Sequence, residues 1–248
     1  MKWLLKILNK WLIAYLSVPS EGRAKKTTNS IELLAATIKP GDVLLVEGKE
    51  RFSTAIKYLT QSNWSHAAIY VGPRGKNEKG EVLDLLEADI SEGVRLISLT
   101  EYASFHTRIC RPLGLSSTDL EHIIDFCHSK LGHAYDLKNV FDLARYLLPV
   151  PWVPTRFKKA MLAFGSSNST QVICSSLIAE AFQSINYPIL PLIEKSGDRE
   201  VHTKLSATLF TPSDFDRSPY FNIIKPTFIK GFEYGSFEWD HLQAQEID

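Results

Sequence analysis

Five short apolar runs succeed one another in the first half of the chain, and then the pattern stops. "GDVLLVEG", "SHAAIYVG", "GEVLDLLEA", "GVRLISL" and "TRICRPL" lie between residues 41 and 113, each bounded by glycine, proline or polar turn residues. Runs of this length and composition predict strands, with "GPRGKNEKG" as a hairpin between the second and third. "RFSTAIKYLTQ" interrupts them with helical spacing. From residue 116 the period changes. In "SSTDLEHIIDFCHSKLG" the residues Leu120, Ile123, Ile124, Cys127 and Leu131 follow a 3.6-residue repeat, with Thr118 and Glu121 as a capping box and Gly132 as the stop. Further helices are predicted in "YDLKNVFDLARYLL", "FKKAMLAF" and "SSLIAEAFQSI", before the tail returns to extended pieces such as "YFNII". Strands gathered first and helices later predict an α+β fold, an antiparallel sheet packed against helices.

The 248 residues suffice for one sizeable domain with a small appendage. Lysine plus arginine and aspartate plus glutamate both number 28, so no net charge points to nucleic acid. The three cysteines, Cys110, Cys127 and Cys174, are odd in number and widely spaced, which argues for reduced thiols rather than a disulfide framework.

The N-terminal stretch "MKWLLKILNKWLIAYLSVP" is different in kind. Lys2, Lys6, Asn9 and Lys10 gather on one side of a helical projection, opposite Trp3, Leu4, Leu5, Leu8, Trp11, Leu12, Tyr15 and Leu16. A lysine at almost every turn argues against a membrane-spanning helix, and the charges are misplaced for a signal peptide. Residues 2–16 are therefore expected to lie in a membrane interface, with packing on the protein's own core as the alternative. The expected location is peripheral to a membrane facing a reducing compartment, or else the cytoplasm. Residues 20–30, "SEGRAKKTTNS", read as a linker.

Three residues are of the right type and place for acyl-transfer chemistry. Cys174 stands at the start of an expected helix, where the macrodipole and unpaired N–H groups favour a thiolate and can hold an oxyanion. His66 opens the second strand, at a point where a strand end fixes the ring as a general base. Glu87 ends the third, where a hairpin sets it beside His66 to orient the imidazole. Cys110 and Cys127 are expected in the core. A zinc site from His122, Cys127, His128 and His133 is disfavoured by their spacing, no phosphate-binding loop occurs, and no metal or cofactor is expected.

"KPGDVLLVEG", "SHAAIYVG", "LLEADISEGV", "GHAYD", "ICSSLIAEAF" and "LFTPSDFDRSPYF" follow one another in an order that resembles the circularly permuted NlpC/P60 cysteine peptidases, in particular the YiiX/YebB-like permuted papain-fold amidases. Papain-like enzymes of ordinary topology have the cysteine before the histidine, and permutation reverses that order. The resemblance implies a permuted papain-like catalytic domain over residues 38–225, after an amphipathic helix (1–19) and a lead-in (20–37), and before a tail (226–248). It implies Cys174 as nucleophile, His66 as base and Glu87 as the third member, with Tyr135 of "GHAYD" and Ser175 as weaker candidates for oxyanion or substrate contact. The apolar stretch 141–170 is expected to cover or widen the site.

The function expected is a cysteine-dependent acyl hydrolase of amidase or peptidase type, acting through a thioester on an amide- or ester-linked acyl group of a peptide or lipid. A lipid-directed hydrolase or acyltransferase is the first alternative, favoured by the amphipathic N-terminus. A non-catalytic, membrane-docked binding module is the second, and the presence of His66, Glu87 and Cys174 together speaks against it.

Overall fold

The computed structural model describes residues 30–89, 92–133, 173–196 and 199–226. Their elements run α1 (Ile31–Ala35), β1 (Val43–Glu47), α2 (Arg51–Thr60), β2 (His66–Tyr70), β3 (Leu85–Asp89) and β4 (Gly93–Ile97). A 3-10 turn, Leu99–Tyr102, leads to β5 (His106–Pro112) and α3 (Ser117–Ser129). The second part contributes α4 (Ile173–Ser184), β6 (Leu192–Ser196), β7 (Arg199–Thr203), α5 (Pro212–Arg217) and β8 (Phe221–Ile224). All five expected strands are present, and so are the helices at 51–60 and 173–184.

Among the described residues one sheet has six strands in the order β4-β3-β2-β1-β5-β8, every neighbouring pair antiparallel. A separate hairpin pairs β6 with β7. β1, β2 and β3 are buried on both sides along most of their length, which explains their near-continuous apolar runs. Val43, Leu45, Ala67, Ile69, Leu86 and Ala88 belong to one core layer, together with Ile123 and Cys127 of α3 and Leu177, Ile178, Ala181 and Phe182 of α4. Leu44, Val46, Ala68, Leu85, Ile97 and Ile109 face the other layer, beneath Leu34, Ile38 and Leu99. Period-2 alternation thus assigns alternate residues of one strand to two cores.

The order of the sheet forces a crossing. β4 lies at one edge and β5 on the far side of β1, so residues 98–105 must pass over β3, β2 and β1. Leu99, Tyr102 and Phe105 pack into the second layer along that path. The passage brings a tyrosine over the middle of the sheet.

Three details differ from the sequence reading. Residues 31–35, read as lead-in, form α1, because Ser30 caps it by accepting the Leu33 N–H and Leu34 is buried. α3 begins earlier than the Thr118/Glu121 box implies. Ser116, in extended conformation, accepts the Asp119 N–H at 3.1 Å and donates to its carboxylate at 2.7 Å, leaving Thr118 and Glu121 inside the helix. α3 also ends at Ser129, with Gly132 in the following turn at φ +75°. The N-terminal helix, the expected helices at 135–148 and 157–164, Tyr135, and most of the 226–248 tail fall outside the described residues. No described helix is long and apolar enough to cross a membrane.

Candidate active site

His66 is the first residue of β2, at the rim of the sheet and opposite Val46 of β1. The chain entering it is tied down on several sides. Ser65 donates its N–H to the Val46 carbonyl and accepts the Gly48 N–H on its hydroxyl at 2.9 Å. Gly48 has no room for a side chain, since a Cβ there would stand 2.2 Å from the Ser53 hydroxyl. The Trp64 indole donates to Asp216 of α5, which also accepts two bonds from Arg108 at 2.7 and 2.8 Å. The position of the His66 backbone is therefore set by β1, β5 and α5 together.

Glu87, in the middle of β3, is 3% exposed and receives donors on both oxygens. His66 Nε2 lies 2.7 Å from Oε2, and the Tyr102 hydroxyl donates to the same oxygen. Arg95, directly opposite on β4, donates to Oε1 from Nε at 2.9 Å and brings Nη2 within 2.8 Å of the same oxygen as an ion pair. Burial alone would raise the carboxyl pKa. The hydrogen bond and charge of His66, the Tyr102 hydroxyl and the Arg95 guanidinium overcome it and hold the group at about 2. An ionised carboxylate can only accept, so the proton of the shared bond sits on His66 Nε2.

That leaves Nδ1 for the other partner. Cys174 stands in the first turn of α4, 5% exposed, in hydrogen-bond and charge contact with His66. α4 packs across β2 and β3 on the first core layer, while Glu87 and Tyr102 approach from the second. Because His66 sits at the rim, its ring is accessible to both. Burial pulls the imidazole pKa down; the contacts with Cys174 and then Glu87 outweigh it, and the ring is held well above its ordinary value. The other two thiols are different. Burial, with the Asp216 charge behind it, raises Cys110, and burial pushes Cys127 up to about 12.

The structure thus brings together His66, Glu87 and Cys174. Ser175 turns elsewhere: it has no exposed surface and donates its hydroxyl to the Phe210 carbonyl at 2.6 Å. Its side chain fastens α4 to the loop before α5. Sequence reasoning missed Tyr102 and Arg95. Tyr102 has no local signal, because it reaches Glu87 only through the crossing. Arg95 could have been found, since an arginine inside an apolar strand run paired with that of Glu87 is a cross-strand partner in waiting. Among the described residues no group of three or more histidine, cysteine, aspartate or glutamate side chains could hold a metal ion.

Residues 37–146 match the family described as "Permuted papain-like amidase enzyme, YaeF/YiiX, C92 family". His66 and Glu87 fall within the match and Cys174 beyond it. No curated protein matches the sequence. Among solved structures, the metalloprotein yiiX from Escherichia coli O157:H7 is similar at 15% identity and a TM-score of 0.48, over 76% of this chain and 97% of that one. The family match supports a cysteine hydrolase of amidase type. Residues 37–146 of this chain are thus similar to the permuted papain-like amidases of the YaeF/YiiX type.

Proposed function

We propose that this chain is a cysteine amidase that works through a thioester acyl-enzyme, with Cys174 as nucleophile, His66 as general base and acid, and Glu87 as the group that orients His66. The observation that carries the reading is the double engagement of His66, by Glu87 on Nε2 and by Cys174. The Sγ proton passes to Nδ1, and the thiolate attacks the carbonyl carbon of an amide. The oxyanion that forms is held by backbone N–H groups at the start of α4. Collapse of this intermediate breaks the C–N bond, and the imidazolium gives its proton to the departing amine. Water then enters, loses a proton to Nδ1 and attacks the thioester, and the carboxylic acid and free thiol are released. Glu87 stays ionised throughout and stabilises each imidazolium.

An acceptor amine or alcohol in place of water would turn the same acyl-enzyme into an acyltransferase. A lipid-borne acyl group is the specific variant that the amphipathic stretch 2–16 favours, because it would hold the domain at the surface where such substrates lie.

The direct experiment is to incubate the full chain with peptide and lipid pools, quench in acid and weigh the adduct on the peptide containing Cys174. A mass increment on Cys174 that is absent in Cys174→Ala is the expected result, and its size distinguishes a peptidyl from a fatty-acyl group. Turnover that persists in Cys174→Ala would overturn the reading.

A further inference from the structure

The Glu87 carboxylate is more heavily engaged than orienting a histidine requires. Four donor atoms converge on it: His66 Nε2 and the Tyr102 hydroxyl on Oε2, and Arg95 Nε and Nη2 on Oε1. Arg95 is itself held from the solvent side by Glu92, at 2.6 Å from Nη1, and lies 4.0 Å from Asp89. The charged and titratable groups around Glu87 are therefore His66 from β2, Arg95 from β4 and Tyr102 from the crossing, with Cys174 of α4 beyond His66. Tyr102 keeps its proton, since burial and then the Glu87 charge raise its pKa well above the ordinary value.

We propose, building on the reading of Cys174, His66 and Glu87 as the catalytic groups, that Arg95 is a positioning residue that, together with Tyr102, limits how strongly Glu87 pulls on His66. The imidazole can then take the Sγ proton of Cys174 and give it up once Cys174 is acylated. The argument is one of charge. A guanidinium hydrogen-bonded through Nε and ion-paired through Nη2 to Oε1 offsets much of the carboxylate's field at His66. Once His66 has taken the Sγ proton, the imidazolium faces two anionic partners, the Cys174 sulfur and a Glu87 whose charge Arg95 already compensates. Acylation turns the sulfur into a neutral thioester and removes the first of these. A neutral imidazole is the form that can accept a proton from the water entering the second half-reaction. With an uncompensated carboxylate behind it, His66 would stay protonated after acylation, and deacylation would stall.

A substrate-free test uses iodoacetamide, which leaves a neutral thioether on Cys174 in place of the acyl-enzyme. His66 is titrated by NMR on the histidine-labelled full chain before and after alkylation. In wild type, alkylation should lower the His66 pKa by about one unit or more, since an opposite charge close by shifts a pKa by that much. In alkylated Arg95→Met the pKa should lie about one unit above that of alkylated wild type, allowing for the solvent around Arg95. Arg95→Lys, which keeps the charge, should stay near wild type. Tyr102→Phe should shift in the same direction as Arg95→Met but less. A purely structural role would change the melting temperature of these variants and leave the titration in place. Coincident titrations of alkylated wild type and folded Arg95→Met overturn the inference alone. Should Arg95→Met not fold, an unshifted Tyr102→Phe does the same. Failure of iodoacetamide to select Cys174, or an unchanged His66 in alkylated wild type, overturns this inference and the catalytic reading together.

Discussion

His66 and Glu87 meet diagonally across two strands. Ile69 pairs with Leu86, so continued antiparallel register sets Glu87 opposite Ala68, on the face that His66 shares, and the 2.7 Å bond spans the remaining offset. The bond fixes the proton on Nε2 and directs Nδ1 away from Glu87. Glu87→Gln keeps a hydrogen-bonding group but loses the charge that stabilises the imidazolium. It should therefore slow turnover less than His66→Ala, for which removal of the general base costs on the order of 100-fold or more. Steady-state rates of both variants on one amide substrate decide this. A Glu87→Gln enzyme slower than His66→Ala would mean that Glu87 does more than orient.

The three thiols should separate under brief alkylation at neutral pH. Cys110 and Cys127 are buried and held high, so almost none of either is thiolate there. Cys174 faces His66 and should react first. Peptide mass mapping after a short exposure to iodoacetamide gives the order. Labelling of Cys127 ahead of Cys174 in folded protein would count against the site.

Acid should unfold wild type in a window set by Glu87. Its folded pKa of about 2 lies below the ordinary 4.5, so between those values the unfolded chain binds more protons. The stability contributed by ionised Glu87, on the order of a few kcal/mol, is complete above about 4.5 and lost as pH falls through about 2. His66 has the opposite sign. Its folded pKa is raised, so its contribution is complete below 6.5 and lost as pH rises through the folded value. Urea midpoints measured across pH should show Glu87→Gln with a weaker acid dependence than wild type.

Phe182 fixes the height of α4 above the sheet. It is fully buried, with its ring 5.3 Å from that of Tyr187 and 5.1 Å from that of Phe221. Phe182→Ala should cost about 3–5 kcal/mol, as expected for an aromatic side chain removed from a packed core. It should also slow alkylation of Cys174, because the helix that carries the thiol loses its seat. Thermal melts and the alkylation rate test the two halves of this prediction separately.

Residues 1–19 should govern membrane binding. Lys2, Lys6 and Lys10 near an anionic surface contribute about 1 kcal/mol each, which together strengthens binding by roughly two orders of magnitude. Truncation should release the protein from phosphatidylserine liposomes while leaving Cys174 reactive. Salt should weaken the binding of full-length protein only in part, since burial of Trp3, Leu8, Trp11 and Leu12 is not screened. A truncated chain that aggregates, and a full-length chain that ignores liposomes, would instead mean that this segment packs on the domain.

Local pattern by itself determined strands β1 to β5, the α2 and α4 helices, and the α+β class, but not the β6–β7 hairpin. Each depends on residues close in sequence: short, nearly continuous apolar runs such as "HAAIY" and "LLEAD" between turn residues, and a 3.6-residue repeat in "ICSSLIAEAF". The placing of His66 at a strand start and Cys174 at a helix start follows from the same signals. Which residues surround Glu87 was decided only by tertiary structure. Arg95 reaches it through the register of β3 with β4, and Tyr102 because the chain must cross the sheet to reach β5. The same holds for Ser175, whose sequence neighbours the nucleophile and whose hydroxyl is bound to Phe210. Strand order and register are set by how two core layers fill, a sum over residues far apart in the chain that no short window contains.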